Sequence, residues 1–171
     1  MATEIERKFL LLDDRWRSAV IRSEHLVQGY LAADTRTSVR VRVSGDAAWL
    51  NIKGATLGVA RAEFEYAIPL SDAREMLALF CAGRMLAKTR CYVPFGAHVW
   101  EIDVFEGRNA GLVVAELELT RAEETFMRPA WLGAEVSSEA RYYNSCLIDA
   151  PYDTWPEASQ AGTAVYNPIT K

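Results

Sequence analysis

Cysteine, histidine and lysine are all scarce in this sequence of 171 residues. The three cysteines, Cys81, Cys91 and Cys146, are far apart and form no CxxC pair. So sparse and odd a set argues against a disulfide framework and against a thiolate zinc site, and leaves the thiols to core packing. His25 and His98 are the only histidines, and no signature around a thiol pairs either with a cysteine nucleophile. Glycine-rich phosphate cradles are missing as well, since neither GxxxxGK[ST] nor GxGxxG occurs. No apolar run approaches the roughly 18 residues of a membrane span. The first residues, MATEIERKF, are charged at once and do not read as a secretory signal. The expectation is a cytoplasmic protein with neither a membrane nor a nucleic acid as partner. A net charge of only −4, from 19 basic and 23 acidic residues, agrees with that. Lysine is the scarcer base: 15 Arg stand against 4 Lys, and the internal ones are Lys8, Lys53 and Lys88. They stand out because Lys, unlike Arg, loses its proton when its surroundings shift it.

Half of the residues are hydrophobic, enough to bury one globular core. Their dominant pattern is period-2 alternation, the mark of strands with one buried face. It runs over 3–12, 26–33, 36–44, 47–54, 59–69, 84–94, 97–105 and 112–120, which predicts eight strands. Helical patterns lie between and after them. One opens at 71 with Asp72 and Glu75 spaced as a capping box and ends at Gly83. Others are expected over 120–129, from Ser137 or Ser138 to 149, and, more weakly, over 13–20. From Pro151 the sequence carries three prolines and no period. The chain therefore divides into a domain of residues 1–150 and an irregular tail, 151–171, which Tyr152, Trp155 and Tyr166 could clip onto it.

Eight short strands with a few helices fit a β-sandwich or a closed antiparallel barrel. Like charges recur two residues apart at Glu4/Glu6, Arg40/Arg42, Glu63/Glu65, Lys88/Arg90 and Glu116/Glu118. Such pairs share a strand face and repel unless an opposite charge sits between them. One reading is a set of solvated faces trading ion pairs across strands. The other is a charged lumen, where all three internal lysines would fall. Carboxylates without His or Cys bind hard cations, so Mg²⁺ or Mn²⁺ suits such a lumen better than zinc. Rows of Arg and Lys in the same space suit phosphate oxygens. Together they suit a metal-polyphosphate chelate.

The segments EIERKF from Glu4, QGYL from Gln28, VRVR from Val39, NIK ending at Lys53 and EFEY from Glu63 occur in a telling order. KTR from Lys88, EIDVF from Glu101, ELEL from Glu116 and ARYYN ending at Asn144 follow. Over residues 3–148 this series resembles the CYTH domains, also called triphosphate tunnel metalloenzymes. The resemblance implies an α+β fold: an eight-stranded antiparallel tunnel barrel with helices packed outside. It implies metal ligation of one or two divalent ions by Glu4, Glu6, Asp103, Glu116 and Glu118, with Glu63 and Glu65 acting through waters. It implies triphosphate contacts at Lys8, Arg40, Arg42, Lys53, Arg90 and Arg141. Lys88 matches the lysine that activates the attacking water, with Tyr30 as its expected neighbour. The sequence departs from many relatives at Ala140, Tyr143 and Ser145, where lysines are frequent, which weakens the expected grip on the far end of the substrate.

The compact chain resembles small bacterial members that hydrolyse inorganic triphosphate to pyrophosphate and phosphate. Class IV adenylate cyclase, thiamine triphosphatase and nucleoside triphosphatase are the rivals within the family. A polyphosphate-binding module is the rival outside enzymes. Homodimers are common among relatives, and a homodimer is an expectation of the resemblance alone.

Overall fold

A computed structural model describes residues 3–34, 36–54 and 59–156. Every segment with period-2 alternation forms a strand: β1 (Thr3–Leu11), β2 (Arg22–Ala33), β3 (Thr37–Ser44), β4 (Ala47–Gly54), β5 (Ala60–Ala67), β6 (Met85–Phe95), β7 (His98–Phe105) and β8 (Val113–Glu118). All neighbours are antiparallel, in the order β5-β4-β3-β2-β6-β7-β8-β1. The sheet closes where β1 meets β5, with Glu4 opposite Arg61. The protein is thus a closed eight-stranded barrel, and the sandwich alternative falls. A short β9 (Leu132–Glu135) adds to the outside of β1 after a register shift. It is four residues long and does not alternate, so the sequence carries no strand signal there.

The helical expectations fare less evenly. Helix α1 (Leu70–Phe80) forms, but Pro69 holds the N-cap position and no side chain caps it. The Asp72–Glu75 box is therefore not made; Asp72 accepts from Ser71 instead. No helix forms over 120–129. Glu124 takes the backbone N–H of Thr120 at 2.8 Å, which ends the strand in a turn. The chain beyond it runs irregularly and brings Phe126 edge-on to Phe9 and Trp100. The 13–20 segment tightens into a 3-10 turn, Arg15–Ala19, which buries Trp16. The segment expected as one helix to 149 breaks into a 3-10 turn, Ala140–Tyr142, and α2 (Cys146–Asp149).

Three apolar clusters organise the packing. One covers the outer wall of β1, β7 and β8, where Phe9, Trp100, Ile102 and Leu117 meet Trp16, Trp131 and Leu132. A second lies between α1 and the outer faces of β2–β4, through Leu77, Ala73, Cys81, Val41 and Ala48. Gly29 allows that approach, since a Cβ there would stand 2.6 Å from Cys81 Cβ. The third cluster is inside the barrel. Leu10, Leu86, Phe105 and Val114 pack there with Tyr142, Leu147, Tyr152 and Trp155. Of the two α-helices among the described residues, α1 lies outside, while α2 and the residues around it cap one end of the lumen. Of the tail, 151–156 belongs to this cap, while Tyr166 and the rest of 157–171 lie outside the described residues. No helix among the described residues is long and apolar enough to cross a membrane.

Candidate active site

Alternation carries one face of every strand into the lumen. Above the apolar cap that face is charged, and it encloses a cavity of about 660 Å³. Arg40 and Arg42 come from β3, Lys53 from β4, Arg61 from β5, and Lys88 and Arg90 from β6. Glu4 and Glu6 on β1, Glu63 and Glu65 on β5, Glu101 on β7, and Glu116 and Glu118 on β8 supply the acid. The lumen is therefore where the doubled charges point, rather than into bulk solvent.

Opposite charges meet several of the repeated ones. Glu4 accepts from Lys53 Nζ at 2.8 Å and from Arg61 Nε at 2.6 Å. Burial alone raises the Glu4 carboxyl, but Lys53 and Arg61 outweigh it and hold the group at about 2. Lys8 donates to Glu6 at 2.9 Å and also to Glu116. Arg90 binds Asp103 at 2.7 Å and reaches Glu101 and Glu116 as well. Lys88, buried and bonded to Asp103, has its amine pushed below the usual lysine range by burial and by Arg90, against the pull of Asp103.

Arg40 is different. It is only 7% exposed, yet no carboxylate among the described residues pairs with it, and Gln28 Oε1 is a distant 3.5 Å from its Nη1. Its Nε has no partner either. An unpaired buried guanidinium is costly unless an anion joins it.

The structure brings most of the expected site residues to this cavity, with four exceptions; one is Lys8, which lines only a smaller side chamber. Asp103 is on the lumen face of β7 but fully buried beneath Lys88 and Arg90, which it holds, and does not itself line the cavity. Tyr30 lines a smaller side chamber with Lys8, Arg40, Lys53 and Arg61 rather than flanking Lys88. Arg141 lines neither of these two cavities; it is exposed, bonds Glu139 at 3.2 Å and stacks on Tyr142 and Trp155. Sequence reasoning gave no role to Arg61, Gln28, Asn51 or Asn144. The first three share a strand face with expected site residues, a signal that was available. Asn144 lines both cavities from a segment expected as helix, which breaks at that point between a 3-10 turn and α2.

The donor chemistry fits a hard divalent cation: Glu4, Glu6, Glu116 and Glu118 offer only carboxylate oxygens. Burial, and then the neighbouring charges of Glu4, Glu6 and Glu63, raise the Glu118 carboxyl, so negative charge is crowded there. No group of three Asp, Glu, His or Cys among the described residues is drawn together as a ready metal site, however. Lys8, Lys53 and Arg61 occupy Glu4, Glu6 and Glu116 instead.

Comparison with known proteins agrees with this geometry. The CYTH domain matches residues 2–146. An inorganic triphosphatase of Acetivibrio thermocellus is 40% identical over 157 residues, 92% of this chain and all of that protein. An inorganic triphosphatase of Nitrosomonas europaea is 35% identical over 150 residues, 85% of this chain and 96% of that one. The crystal structure of an inorganic triphosphatase superposes with a TM-score of 0.59 at 32% identity, covering 86% of this chain and 95% of the other.

Proposed function

The chain belongs to the CYTH domain family, and from that premise we propose that it hydrolyses inorganic triphosphate to pyrophosphate and phosphate. The observation that carries this reading is Arg40, a buried guanidinium without a counter-ion in a cavity that holds five further cations. Arg40, Arg42, Lys53 and Arg61 form a continuous phosphate-binding wall on β3–β5. Guanidinium forks suit phosphate oxygens and fix the chain's orientation. The apolar cap of Leu10, Leu86, Phe105 and Val114 keeps the lumen short of a water-filled channel at that end.

Glu4, Glu6, Glu116 and Glu118 are the residues to hold one or two divalent ions, Mg²⁺ or Mn²⁺. Such an ion supplies positive charge to phosphate oxygens that become more negative during transfer. Loading needs Lys8 to leave Glu6 and Glu116, and phosphate oxygens offer it a new partner. Lys88 is the residue to accept a proton from the attacking water. The water oxygen then bonds to the terminal phosphorus, the bridging P–O bond breaks, and pyrophosphate leaves. Asp103, itself fixed by Arg90, holds the Lys88 amine at the cavity wall during this step. The three free cysteines suit a reducing compartment, and we place the protein in the cytoplasm.

The test is product analysis. Purified protein is incubated with inorganic triphosphate, ATP and thiamine triphosphate, with and without Mg²⁺ or Mn²⁺. The reading expects metal-dependent release of equal pyrophosphate and phosphate, fastest from inorganic triphosphate. Cyclic AMP formed from ATP faster than phosphate, or binding without turnover, would overturn it.

A further inference from the structure

Glu63 and Glu65 stand two residues apart on the lumen face of β5, and no basic side chain lies between them. The group that does is Asn51 on β4, which is fully buried. Its Nδ2 donates to Glu63 Oε1 at 3.0 Å and to Glu65 Oε2 at 2.6 Å. Both carboxylates also hold members of the cationic wall. Glu65 accepts from Arg42 at 2.6 Å, and Glu63 lies 3.2 Å from Lys53 Nζ. Asn51 is the Cα partner of Arg40 on one side and of Glu65 on the other.

We propose that Asn51 is a positioning residue for substrate binding, an amide clamp that fixes Glu63 and Glu65 and, through them, the reach of Arg42 and Lys53. This rests on the triphosphatase reading of the cavity. The chemistry restricts the position. A primary amide has two N–H donors and no charge, so it can satisfy two carboxylates at once without neutralising the counter-ions of Arg42 and Lys53. A lysine here would compete for those carboxylates, and an aspartate would add a third negative charge with no donor. The two acceptors also decide the amide's orientation, because the reverse flip would aim Oδ1 at both carboxylates. Oδ1 is left buried without a partner, and that loss is tolerated only if the two N–H bonds outweigh it.

Three variants separate the clamp from mere packing: Asn51→Leu, Asn51→Asp, and Asn51→Asp combined with Glu63→Gln. All keep the native number and branching of side-chain heavy atoms at each site. The clamp predicts that Asn51→Leu raises KM for inorganic triphosphate about tenfold, or ~1.4 kcal/mol of binding, with kcat within about twofold. Asn51→Asp should be worse than Asn51→Leu. The double variant should recover part of the loss, because the amide introduced on β5 can donate to the carboxylate introduced on β4. A packing role predicts native KM in both single variants, and that result overturns the proposal. A rise in KM for Asn51→Asp but not for Asn51→Leu also overturns it, since charge repulsion alone would then explain the effect. So does a double variant no better than Asn51→Asp. Thermal unfolding of each variant identifies any that fails to fold, and Asn51→Leu carries the decision if Asn51→Asp does. If the native protein does not turn over triphosphate, the functional reading fails. Calorimetric affinity for inorganic triphosphate, native against Asn51→Leu, then still reads the clamp.

Discussion

Along β1 the lumen face reads Glu4, Glu6, Lys8 and then Leu10; β8, taken back from its end, reads Glu118, Glu116 and then Val114. On β7 the same face passes from Glu101 and Asp103 to Phe105, and on β6 from Arg90 and Lys88 to Leu86. One continuous interior surface is therefore charged in one part and apolar in the other, and the change falls just below Lys88, whose Nζ is 5.5 Å from the Phe105 ring. The difference assigns different tasks to the two parts. Buried ion pairs return little net stability, because desolvation offsets most of their attraction. Apolar side chains closed against Tyr142, Leu147 and Trp155 return a great deal. The apolar cap stabilises the fold, and the charged part is free to be arranged for a ligand.

That division is open to attack from both sides. The largest effect is expected at the carboxylates. Glu6→Ala should lower metal-dependent triphosphate turnover about a thousandfold, the scale of several kcal/mol of lost charge stabilisation. Its melting temperature should stay near native, because Lys8 keeps Glu116. Steady-state rates over a metal titration, with a thermal melt alongside, check both halves of that statement. Next comes Lys88→Ala, for which kcat should fall about a hundredfold, in the range for loss of a general base, with little change in KM. A change confined to KM would make Lys88 a binding residue only. The cap should respond in the opposite way. Leu147→Ala, at a fully buried position in α2, should destabilise by about 2–5 kcal/mol. At roughly 2–4 °C per kcal/mol, the melt should drop well below native while kcat holds within about twofold. A cap variant that loses activity but not stability would erase the distinction between the two parts.

The strands were legible because alternation is a backbone property that each charged residue reports. Glu4, Glu6 and Lys8 could be read as one face before any fold was known. The cap was not, since apolar residues at lumen positions break the alternation that identified the lumen: Val113, Val114 and Ala115 form a continuous run with no visible face. Tyr152 and Trp155 follow a proline and have no period, so their insertion into the barrel depends on contacts distant in sequence. Arg141 is the reverse case. It sits in a segment that matches the family pattern, yet it bonds Glu139 and stacks on Tyr142 and Trp155 rather than lining the charged cavity. Sequence places residues on faces well where a strand is regular; which counter-ion each charge keeps, and which charge keeps none, is decided by neighbouring strands.

The measurement that bears most directly on the charged part as a triphosphate site concerns Arg40. Arg40 is the buried cation without a carboxylate partner among the described residues, so its replacement should weaken ligand binding without harming the empty protein. Calorimetric titration of inorganic triphosphate, in the absence of divalent metal, compares the native protein with Arg40→Met. The expected result is at least about tenfold weaker binding, ~1.4 kcal/mol, and an empty-state melting temperature no lower than native. Equal affinity in the two proteins would contradict a triphosphate site built around Arg40.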